Sequence, residues 1–296
     1  MSENIPIKIK NKIKHKIQQL DIESIIRSQK SKVVRNLPKF IINFIKKSFR
    51  QNEINSVLKK YHKDYGINFV RSVIHKYLNI RVKAYNEELL PNKGKFIFAS
   101  NHSLGGVDFG VVYSKISEKF KNVKIVANEM FLHIENVKEL FLPVSTTESN
   151  VQHKKDAIEN HLEDDAGHLL IFPAGKVARM VKKKLDDGFW HRSFIRNAID
   201  HKRDIIPMFV GGRNSKAFYR LAKIRTFLRI KANLEFFMLP GEVFKQRNKT
   251  IPIIYGKPIP YTTFDDSKTH LEWAQEVKEI VYNLEKKYQN KINKTT

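Results

Sequence analysis

From residue 80 onward the chain repeats one alternation: a short β-branched and aromatic run, then a longer stretch with apolar residues at helical spacing. The short runs lie at 95–100 (KFIFAS), 123–127 (VKIVA), 168–172 (HLLIF), 205–210 (IIPMFV), 232–238 (ANLEFFM) and 251–255 (IPIIY). Helical spacing recurs near 107–119, 151–165, 191–203, 215–228 and 268–288. Strands that alternate with helices predict an α/β fold, with a mainly parallel central sheet flanked by helices. Pro207 is expected to break the 205–210 strand early. The simplest partition is a basic helical N-terminal section over residues 1–79 and an α/β domain over 80–296.

The N-terminal section carries much of the chain's charge. Lys and Arg number 55 against 30 Asp and Glu, a net charge of +25. That surplus predicts an anionic partner: nucleic acid, anionic lipid or an acidic carrier. Nucleic acid is not expected, because no zinc finger, aromatic RNP pattern or helix-turn-helix signature is present. With no cysteine in the sequence, disulfide scaffolds, Cys-ligated zinc and thiol catalysis are excluded. No metal-ligand spacing is visible, so no metal is expected. Residues 1–35 read as a loosely ordered arm or a lysine-rich helix. In the next stretch Phe40, Ile41, Phe44, Ile45 and Phe49 recur at helical spacing among Lys39, Lys46, Lys47 and Arg50. Two readings stay open there: an amphipathic helix lying on an anionic membrane surface, or a helix packed on the protein's own core. Residues 51–79 continue as two helical stretches broken at Gly66. No run approaches the ~20 apolar residues of a membrane span, and no signal peptide is visible. A peripheral protein on the cytoplasmic face of the inner or plasma membrane is expected.

Two turns carry the chemistry. The run ending at Ser100 opens into Asn101-His102-Ser103-Leu104-Gly105-Gly106-Val107-Asp108, and a helical pattern follows. Ligands of open α/β folds sit where strands end and helices begin. Across the flexible Gly105-Gly106 turn, Asp108 could accept a hydrogen bond from His102, fixing its tautomer and leaving the other ring nitrogen free as a base. The alternative is a helix capped by Asn101 or Ser103, with His102 an ordinary surface histidine. The second turn, Phe172-Pro173-Ala174-Gly175-Lys176, with Arg179 beyond it, could present amides and cations to an anion. Its alternative is a Pro-Gly turn with solvated lysines.

The order of these blocks resembles the glycerolipid acyltransferases of the lysophosphatidate acyltransferase type. That family carries Asn-His-x-Ser-x-x-Asp, then Phe-Pro-Glu-Gly-Thr-Arg, then a Pro-containing strand. The details NHSLGGVD, FPAGKVAR, GGRNS and YGKPI look similar to a haemolysin-annotated branch related to O-acyltransferases of lyso-ornithine lipids. The resemblance implies acyl transfer from a thioester, acyl carrier protein or coenzyme A, to the hydroxyl of a lyso-lipid, without a cofactor. It implies His102 as general base and Asp108 as its partner. It places Asn101, Ser103, Gly105, Gly106, Phe172, Pro173, Ala174, Gly175, Lys176 and Arg179 around the substrates. An acidic carrier protein and an anionic membrane both suit the positive charge. Three departures stand out. Five residues rather than four separate His102 from Asp108, Ala174 replaces the family's Glu, and residues 141–147 lack its Arg. These favour an acceptor such as an acyl-amino-acid lipid over 1-acylglycerol-3-phosphate. The reading from another class is a non-catalytic basic protein that binds a membrane surface or nucleic acid. The aromatic-rich 218–237 segment either lines an acyl groove or packs as core.

Overall fold

A computed structural model describes residues 19–28, 32–128, 134–144, 151–182, 184–229 and 234–292. The N-terminal section forms α1 (Ile22–Arg27), α2 (Lys32–Arg35), α3 (Lys39–Phe49), α4 (Gln51–Lys60) and α5 (Gly66–Arg71); α5 runs on as a π-helix over Ser72–Tyr77. There follow β1 (Arg81–Tyr85), β2 (Phe96–Ser100), α6 (Gly106–Lys119), β3 (Val123–Asn128), β4 (Phe141–Val144), α7 (Val151–Glu163) and β5 (His168–Ile171). A small hairpin, β6 (Arg179–Val181) and β7 (Lys184–Asp186), leads to α8 (Ser193–Asp200), β8 (Asp204–Val210) and α9 (Lys216–Phe227). The chain closes with a 3-10 turn at Leu234–Met238, α10 (Leu239–Phe244), β9 (Thr250–Tyr255) and α11 (His270–Ile292).

Seven strands form one sheet in the order β1-β9-β8-β2-β5-β3-β4. The five from β8 to β4 are parallel; β9 pairs antiparallel with β8 and parallel with β1. The sheet is therefore mainly parallel, as its alternating pattern predicts. All five residues of β2 are buried, as a strand covered on both faces requires. Successive side chains point to opposite faces. Phe96 and Phe98 join a core with Val107, Val111 and Ile116 of α6 and with Val57, Phe69 and Ile74 of the N-terminal section. Ile97 and Ala99 join the other core, with Trp190, Phe194 of α8 and Val277, Val281 of α11. A third cluster joins Ile22 and Ile26 of α1 to Ile42, Ile45 and Phe49 of α3, with Phe237 against it.

Two strand expectations are corrected. In the described part of 232–238 the chain forms a 3-10 turn, not a strand. Its apolar residues have a partner away from the sheet, since Phe237 packs on Phe49 with ring centroids 6.2 Å apart. Glu235 turns inward to Arg179 and Arg225. Pro207 does not break its strand, which runs unbroken to Val210. Its carbonyl accepts from Gly256 N–H at 2.8 Å, so its hydrogen-free nitrogen faces the same side. There the partner chain bulges: regular pairing stops at Met208–Tyr255 and resumes only as the Ile205–Ile259 bridge. The arm expected before residue 19 lies outside the described residues, and α1 and α2 occupy part of the rest.

Candidate active site

β8, β2 and β5 are neighbours and parallel, so their C-terminal ends open on one edge of the sheet. The loop after β2 carries Asn101 and His102, and the turn after β5 carries Phe172–Lys176. Residues 211–215 follow β8.

Gly105 makes the first turn possible. Its φ of +74° is a conformation other residues rarely adopt, and it reverses the chain directly before α6. Asp108, in the first turn of α6, then reaches back. Its Oδ2 accepts from Leu104 N–H at 2.7 Å, Gly105 N–H at 3.1 Å and His102 Nδ1 at 2.9 Å. A carboxylate suits the first turn, where amides are unpaired and the helix dipole is positive. Asp108 is fully buried, and among the described residues its Oδ1 has no hydrogen-bond partner. Burial pushes its carboxyl upward, and the His102 bond and charge with the two amides pull against that rise. A carboxylate on Nδ1 selects the tautomer with its proton there and leaves Nε2 with a free lone pair. The imidazole stacks on Phe172, centroids 4.5 Å apart and planes 23° apart, and its side chain keeps 19% of its exposure. One nitrogen is thus fixed in the interior and the ring remains reachable.

The His102 peptide is held from both sides. Its carbonyl accepts from Ala178 N–H at 2.6 Å, and its N–H donates to Asp187 Oδ2 at 3.1 Å. Asp187 had no place among the residues expected from sequence, nor did Trp190, Tyr282 or Asn214, which complete this framework. The signal available was the Asp186-Asp187-Gly188-Phe189-Trp190 run, an acidic pair and a tryptophan in a basic chain.

The other expected residues divide into four groups. Asn101 and Ser103 are buried, and Asn101 Nδ2 donates to Ser103 Oγ at 2.8 Å. The Ser103 carbonyl accepts from Asn214 Nδ2 at 3.2 Å. Gly105 and Gly106 underlie α6, where added Cβ atoms would touch Val177, Leu239 and Val243. Around Phe172, Pro173 and Ala174 are buried, while Gly175 (φ +62°) and Lys176 are exposed. The Gly175 N–H closes the turn onto the Phe172 carbonyl at 3.0 Å. Arg179 follows Ala178, and its side chain pairs with an acidic residue of another segment. Its Nε lies 3.0 Å from the buried Glu235, which also pairs with Arg225 at 2.7 Å, and its guanidinium covers the Phe218 ring at 4.5 Å. Phe218 is fully buried, in keeping with the core reading of that aromatic residue.

Two open surface hollows lie among the described residues. One, about 350 Å³, is lined by Glu279, Tyr282, Asn283 and Lys286. The other, about 210 Å³, lies between Lys47, Arg50 and Lys245. Neither is lined by His102 or Asp108; residues 129–133 and 145–150 are outside the described residues. Also among the described residues, no three His, Asp or Glu side chains group to hold a metal ion, and no helix is long and apolar enough to cross a membrane.

An interior-anchored histidine at the strand ends of a parallel sheet is an arrangement suited to group transfer onto a hydroxyl, and comparison with known proteins gives the class. A family model described as Acyltransferase matches residues 24–290, and the chain belongs to that family. It is therefore an enzyme of the acyltransferase type. Two curated relatives are lyso-glycine lipid O-acyltransferases, from Bacteroides thetaiotaomicron and Phocaeicola vulgatus. Each is 35% identical over 267 residues, covering 90% of this chain and 97% and 95% of the relatives. A solved structure, the 1-acyl-sn-glycerophosphate (LPA) acyltransferase PlsC from Thermotoga maritima, aligns with a TM-score of 0.45 at 16% identity, over 83% of this chain and 88% of that one.

Proposed function

We propose that this protein moves a fatty acyl group from a thioester to the hydroxyl of a lyso-lipid whose head group is an amino acid, glycine first among them. The observation that carries this reading is the 2.9 Å contact between His102 Nδ1 and the buried Asp108 carboxylate. The relatives' names supply the acceptor class.

A lipid hydroxyl is too weak an acid to attack unaided near neutral pH. His102 Nε2 takes its proton as the oxygen bonds to the thioester carbonyl carbon. Asp108 keeps the ring oriented and stabilises the imidazolium that forms. The tetrahedral intermediate then expels the thiolate, which receives that proton from His102, leaving ester and free thiol. General-base help of this kind contributes ~10²–10⁴ in rate. Acyl carrier protein and coenzyme A both present such a thioester. Lys176, exposed on the turn after β5, is a candidate contact for donor phosphates or the acceptor carboxylate. Arg179, held by Glu235 and half-buried, is a second candidate contact.

The acceptor is a membrane lipid, so the enzyme works at a bilayer surface on the side where thioesters are made, the cytoplasmic face. α3 supports this. It buries Ile42, Ile45 and Phe49 but leaves Phe40 (72%) and Phe44 (67%) open to solvent beside Lys39 and Lys47. Each Lys or Arg near an anionic leaflet adds ~1 kcal/mol. The two readings of this helix thus combine: one face packs on the protein and the other suits lipid.

The test is purified full-length protein given palmitoyl-acyl carrier protein or palmitoyl-coenzyme A, with lyso-glycine lipid, lyso-ornithine lipid and lysophosphatidate as acceptors, read by mass spectrometry. Acylated amino-acid lipid from wild type and none from His102→Ala is the expected result. No product from any acceptor, or an active His102→Ala, overturns the reading.

A further inference from the structure

Asp187 sits in the loop between β7 and α8, 1% exposed, and touches the backbone of the residue on which the proposed chemistry turns. Its Oδ2 accepts from the His102 N–H at 3.1 Å. Its Oδ1 accepts from Trp190 Nε1 at 3.1 Å and from the Tyr282 hydroxyl at 2.9 Å. The Tyr282 oxygen in turn accepts from Asp187's own N–H at 3.1 Å. Every group facing the carboxylate is therefore a donor, a set that only the ionised form satisfies in full.

A buried charge is costly, and a neutral amide or serine could tie down a loop without that cost. Burial indeed pushes the Asp187 carboxyl upward, against the pull of its donors and of Lys278. We propose that Asp187 is a positioning residue for His102: it fixes the peptide from which the imidazole projects and sets a second negative charge against the backbone of the residue whose ring becomes cationic as the acceptor is deprotonated. This rests on His102 acting as the base. Asp108 holds the ring from α6, and Asp187 holds its backbone from the opposite loop.

The other charged or titratable groups around this pair are few. Lys278 of α11 sits on Asp186 at 2.7 Å and near the Tyr282 ring. Lys176 lies against Gly188, and His191 beside Gly175. Among the described residues none of these makes a hydrogen bond to Asp187 or to the His102 ring.

The pH dependence of kcat/KM tests the proposal, because its acid limb reports protonation of the free base. Asp187→Asn removes the charge and turns an amide N–H₂ toward at least one donor. Expected are kcat lowered about tenfold or more, little change in KM for the thioester, and an acid limb moved to lower pH, since a cationic ring is no longer favoured. Tyr282→Phe keeps the charge and loosens it. It should lower kcat several-fold at unchanged KM and leave the acid limb in place. A folded Asp187→Asn enzyme with wild-type kcat and acid limb overturns the proposal. If that variant does not fold, wild-type kcat in Tyr282→Phe overturns it instead. His102→Ala run alongside separates the two ideas: if it is inactive while Asp187→Asn is normal, only the Asp187 role falls, and if it is active, the base assignment falls too.

Discussion

Asn101 extends the sheet with its side chain: its Oδ1 accepts from the Val210 N–H at 2.7 Å, and its Nδ2 donates to the Val210 carbonyl at 3.0 Å. β2 and β8 are thereby clamped where the site begins. Asn101→Ala strands a buried N–H and C=O at the end of β8. We expect it to lower unfolding stability by about 2–4 kcal/mol, since each orphaned buried group costs ~1–3 kcal/mol. Urea unfolding measures this, and a loss under about 0.5 kcal/mol would show that the clamp contributes nothing.

Asp108→Asn keeps one oxygen for the three donors now on Oδ2 but places an N–H₂ where, among the described residues, Oδ1 has no partner. Folding should weaken by about 1–3 kcal/mol, while acyl transfer falls by ~10²–10⁴. Rates and thermal unfolding on the same preparation separate the two effects.

His168 gives a pH dependence of stability. Burial, with the charges of Arg203 and His161, pulls it from 6.5 down to about 4. Its ring stacks on Phe96, and its Nδ1 lies 3.3 Å from the Phe96 N–H, which donates to it. The unfolded chain therefore takes up this proton first as pH falls. The contribution is complete above pH 6.5 and is lost progressively toward pH 4, a change on the order of 1–3 kcal/mol. Denaturant unfolding between pH 7.5 and pH 4 checks this, and His168→Gln should flatten the slope.

Glu235 is fully buried and faces both Arg179 and Arg225. Glu235→Ala leaves two largely covered guanidinium groups without their carboxylate and should cost about 3 kcal/mol. Thermal melts of Glu235→Ala and Arg179→Ala compare the two ends of the pair; the glutamate variant should be the less stable.

Membrane attachment through α3 predicts that Phe40→Ser with Phe44→Ser lowers partition onto vesicles containing anionic lipid by tenfold or more, since a buried phenyl contributes ~1.5–3 kcal/mol. Vesicle sedimentation reads this. Unchanged binding would reassign those rings.

What could be read in advance follows from how local each feature is. β2 and β8 announce themselves because they are buried on both faces and so apolar except at one end each, Ser100 and Asp204. The meeting of His102 with Asp108 was foreseeable as one of two outcomes because six positions and a double glycine separate them. Edge strand β1, Arg-Val-Lys-Ala-Tyr, carries charge because its flanks are half open, and its alternation spans only five residues, too few to stand out from a basic chain. The Arg179–Glu235 pair and the Asp187–Tyr282 bond join residues 56 and 95 positions apart. Nothing in their local patterns says which partner the folded chain will bring. The apolar 234–238 run misleads for the same reason, since α3 rather than the sheet receives it.

Tyr282 belongs to α11, which follows every other described helix and strand, yet its hydroxyl reaches the carboxylate beneath His102. A polypeptide still emerging from the ribosome has made its histidine long before the helix that steadies it.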